Sequence, residues 1–425
     1  MSSEQRHQPA SRKRRLQIST PARATKCRPA FQGIARRAAH KRMQPEGGET
    51  GSCTGNGRTP HAASAVKSKL VSIIVVAHDA LDLTRRCLDA VASAGLSCNY
   101  ELVLVDNGCR DSIKSLVGEF SPQIRNIRYV RNEENLSYSA ANNAGAAVAE
   151  GHRLLFLNND VFIAPGAVEQ LLLAMDSHPR AGVVGGKLLY PGTHAIQHAG
   201  INQMLWGYIS NYGVAADAED ARFNRTGEIF AVTGAMLCVS RPLFDMVGGL
   251  SSCYQYGYED ADLCLKIRDI GWEVLYVPGA CGFHCESATL KDQTVPGNLD
   301  WNYSHYRIRW NDVLVPAEQR YAESLLQMGV RKVAVFGVGR AAAGLFGALQ
   351  GYGIQTVAFS TTTAMSEKEE YLGLPVVPLE KLSGIDFDRL IAGSQYFFQV
   401  ENLLSAHDPK REAIFPAISM NAKAI

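Results

Sequence analysis

The alternation of apolar and polar positions becomes regular at Val71. VSIIVVAH (71–78) is a nearly unbroken apolar run, the pattern of a strand covered on both faces. DALDLTRRCLDAVASAG (79–95) then places Leu83, Cys87, Leu88 and Val91 at helical spacing, and Gly95 ends the helix. ELVLVDNG (101–108) is a second strand ending in Asp106, NIRYVRN (126–132) a third, and SYSAANNAGAAVAEG (137–151) a short helix. HRLLFLNND (152–160) gives a fourth strand, APGAVEQLLLAMDSH (164–178) a helix and AGVVGGKLL (181–189) a strand. Apolar strands alternating with helices predict an α/β fold around a predominantly parallel sheet. Ligands bind such sheets beyond the carboxyl ends of the strands.

Those ends hold the first candidate chemistry. Leu154–Leu157 runs directly into Asn158, Asn159 and Asp160. A buried carboxylate without a partner is costly, so a turn must return Asp160 to water or a cation must sit beside it. Asp106 ends the second strand in the same way, so Asp106 and Asp160 are expected to face one crevice. TGEIFAVTGAMLCV (226–239) reads as one further strand region. After the aromatic approach YQYGY (254–258) comes a helix over 259–269, on which Asp260 shares a face with Leu263, Cys264 and Ile267. Helix capping also places acids in a first turn. Capping alone does not ask for Glu259, Asp260 and Asp262 together.

WNYSHYRIRWNDVLV (301–315) carries Tyr306, Arg309 and Trp310 in a helical pattern that closes the first domain. A second domain opens near Arg331, where strand, glycine turn, helix and strand follow with Gly337, Gly339 and Ala342 at Rossmann-like spacing. Its second strand ends in Ser360, where a dinucleotide site would offer an acid. The expected organisation is a leader over 1–68, a catalytic domain over 69–325 and a small Rossmann-like α/β domain over 331–425.

Charge changes this picture at one end. Of the 43 Lys and Arg, 12 lie in the first 50 residues with only 3 acids, leaving 31 basic against 38 acidic residues in the rest. The body is mildly acidic, and no nucleic-acid partner is expected for it. The leader, with SRKRRL near its start, reads as disordered, with contact to anionic lipid or nucleic acid as the alternative. No run reaches the 18 apolar residues of a membrane span. The ten cysteines are scattered, as in a reduced compartment, and CGFHC (281–285) has no second pair to complete a zinc site.

A lone carboxylate flanked by amides suits a hard divalent cation completed by phosphate and water, with an Asx turn as the competing reading. Three acids converging on one crevice, Asp106, Asp160 and Asp260, would repel one another without that cation. The blocks VLVDNGCRD, RNEENLSYSAANNAG, LLFLNNDV, IQHAG, TGAMLCVSR, YGYEDADLCLKIRDIGW and VPGACGFHCES, in this order, resemble the family 2 glycosyltransferases of GT-A fold over roughly 69–315. The likeness is to rhamnosyl- and galactofuranosyltransferase-like members. The C-terminal segment resembles the Rossmann-like front domain of sugar O-acyltransferases.

The resemblance implies roles. Asp106 would contact the nucleotide, Asn158, Asn159 and Asp160 would form the Asp-x-Asp-like element, and Asp160 with His284 would hold Mg²⁺ or Mn²⁺. Asp260 would be the catalytic base, with Glu259 and Asp262 supporting it or binding acceptor; His198 resembles a family residue without an assigned role. The implied reaction is inverting transfer from a nucleotide sugar, dTDP-rhamnose first, to a saccharide or lipid-linked saccharide in surface polysaccharide synthesis. The expected place is the cytoplasm, peripheral to the inner face of the membrane. The C-terminal domain is expected to bind a ligand, mediate protein contacts or oligomerisation, or only pack. A nucleotidyltransferase and a non-catalytic assembly protein are the competing readings.

Overall fold

The apolar run at 71–77 becomes β1 (Val71–Ala77), in which every residue but Val76 is buried. In the computed structural model it lies between β2 (Tyr100–Asn107) and β4 (Arg153–Asn158), and β3 (Ile127–Asn132) flanks β2. The structure describes residues 70–418 apart from 112, 255–256, 287–298 and 363–369. The basic leader and part of the YQYGY approach lie outside the described residues.

Helices cover both faces. α1 (Leu81–Ser93) buries Cys87, Leu88 and Val91 of the stripe its spacing predicts, with Thr84 buried in place of Leu83, which is only partly covered. α2 (Ser115–Phe120) is short. α3 (Tyr138–Val148) is capped by Ser137, whose hydroxyl accepts the Ala140 N–H. It lies so close to the sheet that a Cβ at Gly145 would fall 2.6 Å from Ile74 Cγ2.

The chain continues through β5 (Val161–Ile163), α4 (Ala167–Ser177) and β6 (Ala181–Leu189). An excursion carries β7 (Ile196–His198), β8 (Ile201–Met204), β9 (Ile209–Asn211) and β10 (Gly227–Glu228). Then come β11 (Met236–Ser240), α5 (Arg241–Met246), α6 (Glu259–Asp269), β12 (Glu273–His284) and α7 (Leu299–Gln327). The sheet order is β10-β12-β6-β11-β4-β1-β2-β3, with β5 on β12 and β7 on β6. The pairs β1–β2, β1–β4, β2–β3 and β6–β12 are parallel.

β11 departs from this pattern, running antiparallel to both β4 and β6. The chain re-enters the sheet beside the end of β4, with Met236 opposite Leu157, so it can only run back. The region 226–239, expected as one strand, is therefore two strands with different partners, separated by a turn around Thr233–Ala235.

Beyond α7 a second sheet forms from β13 (Lys332–Phe336), β14 (Gln355–Thr361), β15 (Glu370–Tyr371), β16 (Leu374–Pro378) and β17 (Arg389–Ala392), in the order β15-β16-β14-β13-β17. α8 (Arg340–Gly351) links β13 to β14, and all pairings but β15–β16 are parallel. α9 (Phe397–His407) follows, and β18 (Ala417–Ile418) crosses back to pair with β8. One apolar cluster joins Met204, Leu205 and Trp206 to Val333, Leu345 and Phe359 across the expected domain division. Arg222 and Glu401 add an ion pair at 2.7 Å across it. The described residues form one compact unit. No described helix is long and apolar enough to cross a membrane.

Candidate active site

Register sets the site. Along the parallel core Ala77 is opposite Asp106 and Val76 opposite Asn158, so β2, β1 and β4 end level with one another. The loops after β1 and β2 are tied together: Asp79 accepts from the Arg110 backbone N–H and from its Nε at 2.8 Å, and His78 Nδ1 lies 2.9 Å from the Asn107 carbonyl.

Asp106 is fully buried. Its Oδ1 accepts the Cys109 N–H, and its Oδ2 accepts from the Tyr129 hydroxyl at 2.6 Å and from Arg131 at 2.7 Å. Burial pushes its carboxyl up, but the Tyr129 and Cys109 hydrogen bonds and the Arg131 charge outweigh that, and the group lies below its ordinary value. Both oxygens are thus engaged within the protein. Arg131, with its side chain 38% exposed, carries positive charge from Asp106 towards solvent at this edge.

The structure brings Asp160 and His284 together, because Val161 of β5 pairs with His284 of β12. His284 Nε2 lies 3.2 Å from Asp160 Oδ1. Gln197 Nε2 donates to the His284 carbonyl and to Glu286 Oε2, which turns Gln197 Oε1 towards His284 Nδ1 at 2.7 Å. An amide oxygen only accepts, so Nδ1 carries the proton and, in the neutral ring, Nε2 presents a lone pair to the carboxylate. Two acceptors so placed call for a proton or a cation between them. Among the described residues no group of three or more His, Cys, Asp or Glu side chains could hold a metal unaided. Asn158 is held through its backbone, donating to Ala235 O at 3.0 Å. Asn159 turns to α1, where its Nδ2 donates to the Thr84 hydroxyl.

Asp260 stands on the other side of that strand end. Its Oδ2 accepts the Gly234 N–H at 3.0 Å and its Oδ1 the Ala261 N–H at 2.7 Å. Loss of solvent raises its proton affinity; the Gly234 and Ala261 bonds, with the Thr233 side chain, oppose the rise without cancelling it. Neighbouring Glu259 is also raised, by burial first and then by the Asp260 charge, and its Oε2 has no hydrogen-bond partner. Asp260 accepts two backbone N–H bonds while one Glu259 oxygen has no partner, so of the two carboxylates Asp260 is the better stabilised as the anion. Gly234 touches Asp260 and Ala235 touches Asn158, so adjacent turn residues link the two sides.

Asp262 faces elsewhere. It is fully buried, and its carboxylate takes the Ser251 and Tyr254 hydroxyls, the Trp310 indole N–H, Arg309 at 3.1 Å and Lys266 at 3.5 Å. These contacts tie α6 to α7. Asp262→Ala would strand the buried Lys266 ammonium, and a loss of about 3 kcal/mol is expected in urea unfolding. A loss below about 1 kcal/mol would show that the cluster does not hold the helices together.

Residues that sequence reasoning gave no role complete the site: Gln197 behind His284, Tyr129 and Arg131 on Asp106, and the Thr233–Gly234 turn. IQHAG did bring Gln197 into view, but nothing local showed what it touches.

Residues 72–228 match the sequence model of the family described as Glycosyl transferase family 2. Over that stretch the chain has the sequence of a family 2 glycosyltransferase domain. The largely parallel first sheet fits the GT-A fold of this family, with Asp106 and Asp160 inside the matched stretch and Asp260 and His284 beyond it. The glycosyltransferase segment is 34% identical over 234 residues to the uncharacterized protein y4gI of Sinorhizobium fredii, covering 53% of this chain and 26% of that protein. It is 29% identical to the O-antigen biosynthesis protein RfbC of Myxococcus xanthus, covering 56% of this chain and 19% of that one. An N-acetylglucosaminyl-diphospho-decaprenol L-rhamnosyltransferase of Mycobacterium tuberculosis is 26% identical, over 43% of this chain and 66% of its own length. The match thus spans about a quarter or less of the first two relatives.

Proposed function

We propose that the chain is an inverting, metal-dependent glycosyltransferase that moves a sugar from a nucleotide diphosphate to a hydroxyl of a saccharide or lipid-linked saccharide. The observation that carries this reading is the pairing, through one turn, of the Asp160–His284 pair, whose facing acceptors suit a cation, with the Asp260 carboxylate. The donor set fits a divalent ion. One carboxylate and one imidazole with a fixed tautomer offer two ligands, and diphosphate oxygens and water would supply the rest. Mg²⁺ or Mn²⁺, if held there by Asp160 and His284, would supply positive charge opposite a diphosphate.

The protein's own residues then have distinct tasks. Asp260 takes the proton from the acceptor hydroxyl as that oxygen bonds to the anomeric carbon. The bond from that carbon to the diphosphate oxygen breaks, and the electron pair leaves with the nucleoside diphosphate. One base without a second carboxylate as nucleophile gives inversion. Glu259 has the raised proton affinity of a buried acid beside a second carboxylate, and the backbone donors favour the negative charge on Asp260.

dTDP-rhamnose is the first donor, on the similarity to a rhamnosyltransferase whose acceptor is a lipid diphosphate sugar. Such an acceptor would bring the protein to a membrane surface, and similarity to an O-antigen biosynthesis protein points to surface polysaccharide as product. The test is a panel of nucleotide sugars with Mg²⁺ or Mn²⁺, read by thermal unfolding and donor hydrolysis. One donor should stabilise the protein only with metal, by about 2.7 kcal/mol at a hundred times its Kd. No stabilisation by any nucleotide sugar or nucleoside diphosphate with either ion would overturn the reading.

A further inference from the structure

β7 is three residues long and wholly buried, and its adjacent polar side chains leave on opposite faces, as a strand requires. On one face Gln197 fixes the His284 ring, accepting from Nδ1 and donating to the His284 carbonyl. On the other face His198, 1% exposed, accepts the Thr233 N–H on Nε2 at 3.3 Å, with Nδ1 2.9 Å from Asn211 Oδ1. A backbone N–H can only donate, so Nε2 is the bare nitrogen and Nδ1 carries the proton to Asn211. Burial keeps this ring neutral and pushes its pKa down to about 4.

Thr233 leads directly into Gly234, the residue that donates to Asp260. The turn is gripped again one atom group further on, where the Tyr138 hydroxyl donates to the Gly234 carbonyl at 2.8 Å. A Cβ at Gly234 would lie 2.7 Å from that hydroxyl oxygen, so any side chain there would push the Tyr138 hydroxyl from this position. Of the two N–H donors to Asp260, the one from Gly234 is therefore set by His198 on one side and Tyr138 on the other.

We infer that β7 is a two-sided brace for the reaction: Gln197 positions His284 for the cation, and His198, acting through the Thr233–Gly234 turn, positions Asp260 for proton removal. Both are positioning residues, and the inference rests on the roles proposed for His284 and Asp260. The two faces should separate in experiment, because one governs a metal ligand and the other a base.

The test compares Gln197→Leu, His198→Leu and His198→Gln with wild type and with Asp260→Asn, all in the full chain, using Mn²⁺, dTDP and dTDP-rhamnose. Gln197→Leu should raise the Mn²⁺ concentration for half-maximal thermal stabilisation in the presence of dTDP at least about tenfold. His198→Leu should leave that titration within about twofold and lower kcat for donor hydrolysis at least about tenfold, while His198→Gln, which keeps an acceptor for Thr233, recovers most of the rate. Should His198→Leu fail to fold, Asn211→Leu removes the support of the same ring and should give the same loss of kcat.

A wild-type Mn²⁺ midpoint in Gln197→Leu, or wild-type kcat in His198→Leu or Asn211→Leu, overturns the brace. Equal loss in His198→Leu and His198→Gln overturns it as well. Asp260→Asn separates the layers: if it keeps the wild-type rate, the base assignment fails. If it is inactive while His198→Leu is fully active, the brace alone fails.

Discussion

Asp260→Asn is expected to lower the sugar-transfer rate by about 10³-fold while leaving donor binding in place, since a positioned general base is worth about 10² to 10⁴. The substitution is nearly isosteric and keeps an oxygen for the Gly234 or the Ala261 N–H, so the turn that presents Asp260 should persist. What the amide loses is the capacity to take a proton. A variant that keeps more than about a tenth of the rate would exclude Asp260 as the base. The wild type should also show where that proton goes. Desolvation raises the Asp260 proton affinity, so the anion is depleted on acidification sooner than an exposed aspartate would be. The rate should therefore fall on the acid side through a limb above the ordinary aspartate range. A flat profile down through that range would contradict the assignment.

Asp160→Ala is expected to abolish metal-dependent stabilisation by nucleoside diphosphate. The side chain is only 10% exposed and stands against His284, so its loss leaves one imidazole as the sole protein ligand of the pair. A hard divalent ion binds through several oxygens, and a single nitrogen does not hold Mg²⁺ against water. In thermal unfolding with Mn²⁺ and dTDP, the wild type should gain about 2.7 kcal/mol at a hundred times Kd and the variant almost none. Full stabilisation of the variant would place the ion elsewhere. The two variants also separate the two halves of the mechanism: one should bind without turning over, the other should not bind.

The sequence and the structure divide this molecule unevenly. The apolar runs of β1, β2 and β4 and the helical stripe of α1 were legible because burial on both faces, or on one stripe, is written directly into residue type. The polar residues at the strand ends, Asp106 and Asn158–Asp160, could be placed at one edge because the carboxyl ends of parallel strands lie on the same side of the sheet, and the register makes them level. The first turn of α6 was legible from the spacing of Asp260 against Leu263, Cys264 and Ile267.

Direction and partnership were not legible. The antiparallel entry of β11 depends on where a long excursion returns to the sheet, which no local pattern encodes. Only the fold decided that Asp106 spends both oxygens on Cys109, Tyr129 and Arg131, that Asp262 serves α7, and that Asn159 turns to Thr84. The meeting of Asp160 with His284 spans 124 positions and exists because β5 pairs with β12. The sequence by itself determined which residues are buried and which chemistry is available. The tertiary structure decided which of those groups face one another, because hydrogen bonds and charges act over a few ångströms and the chain brings distant residues within that reach only by folding.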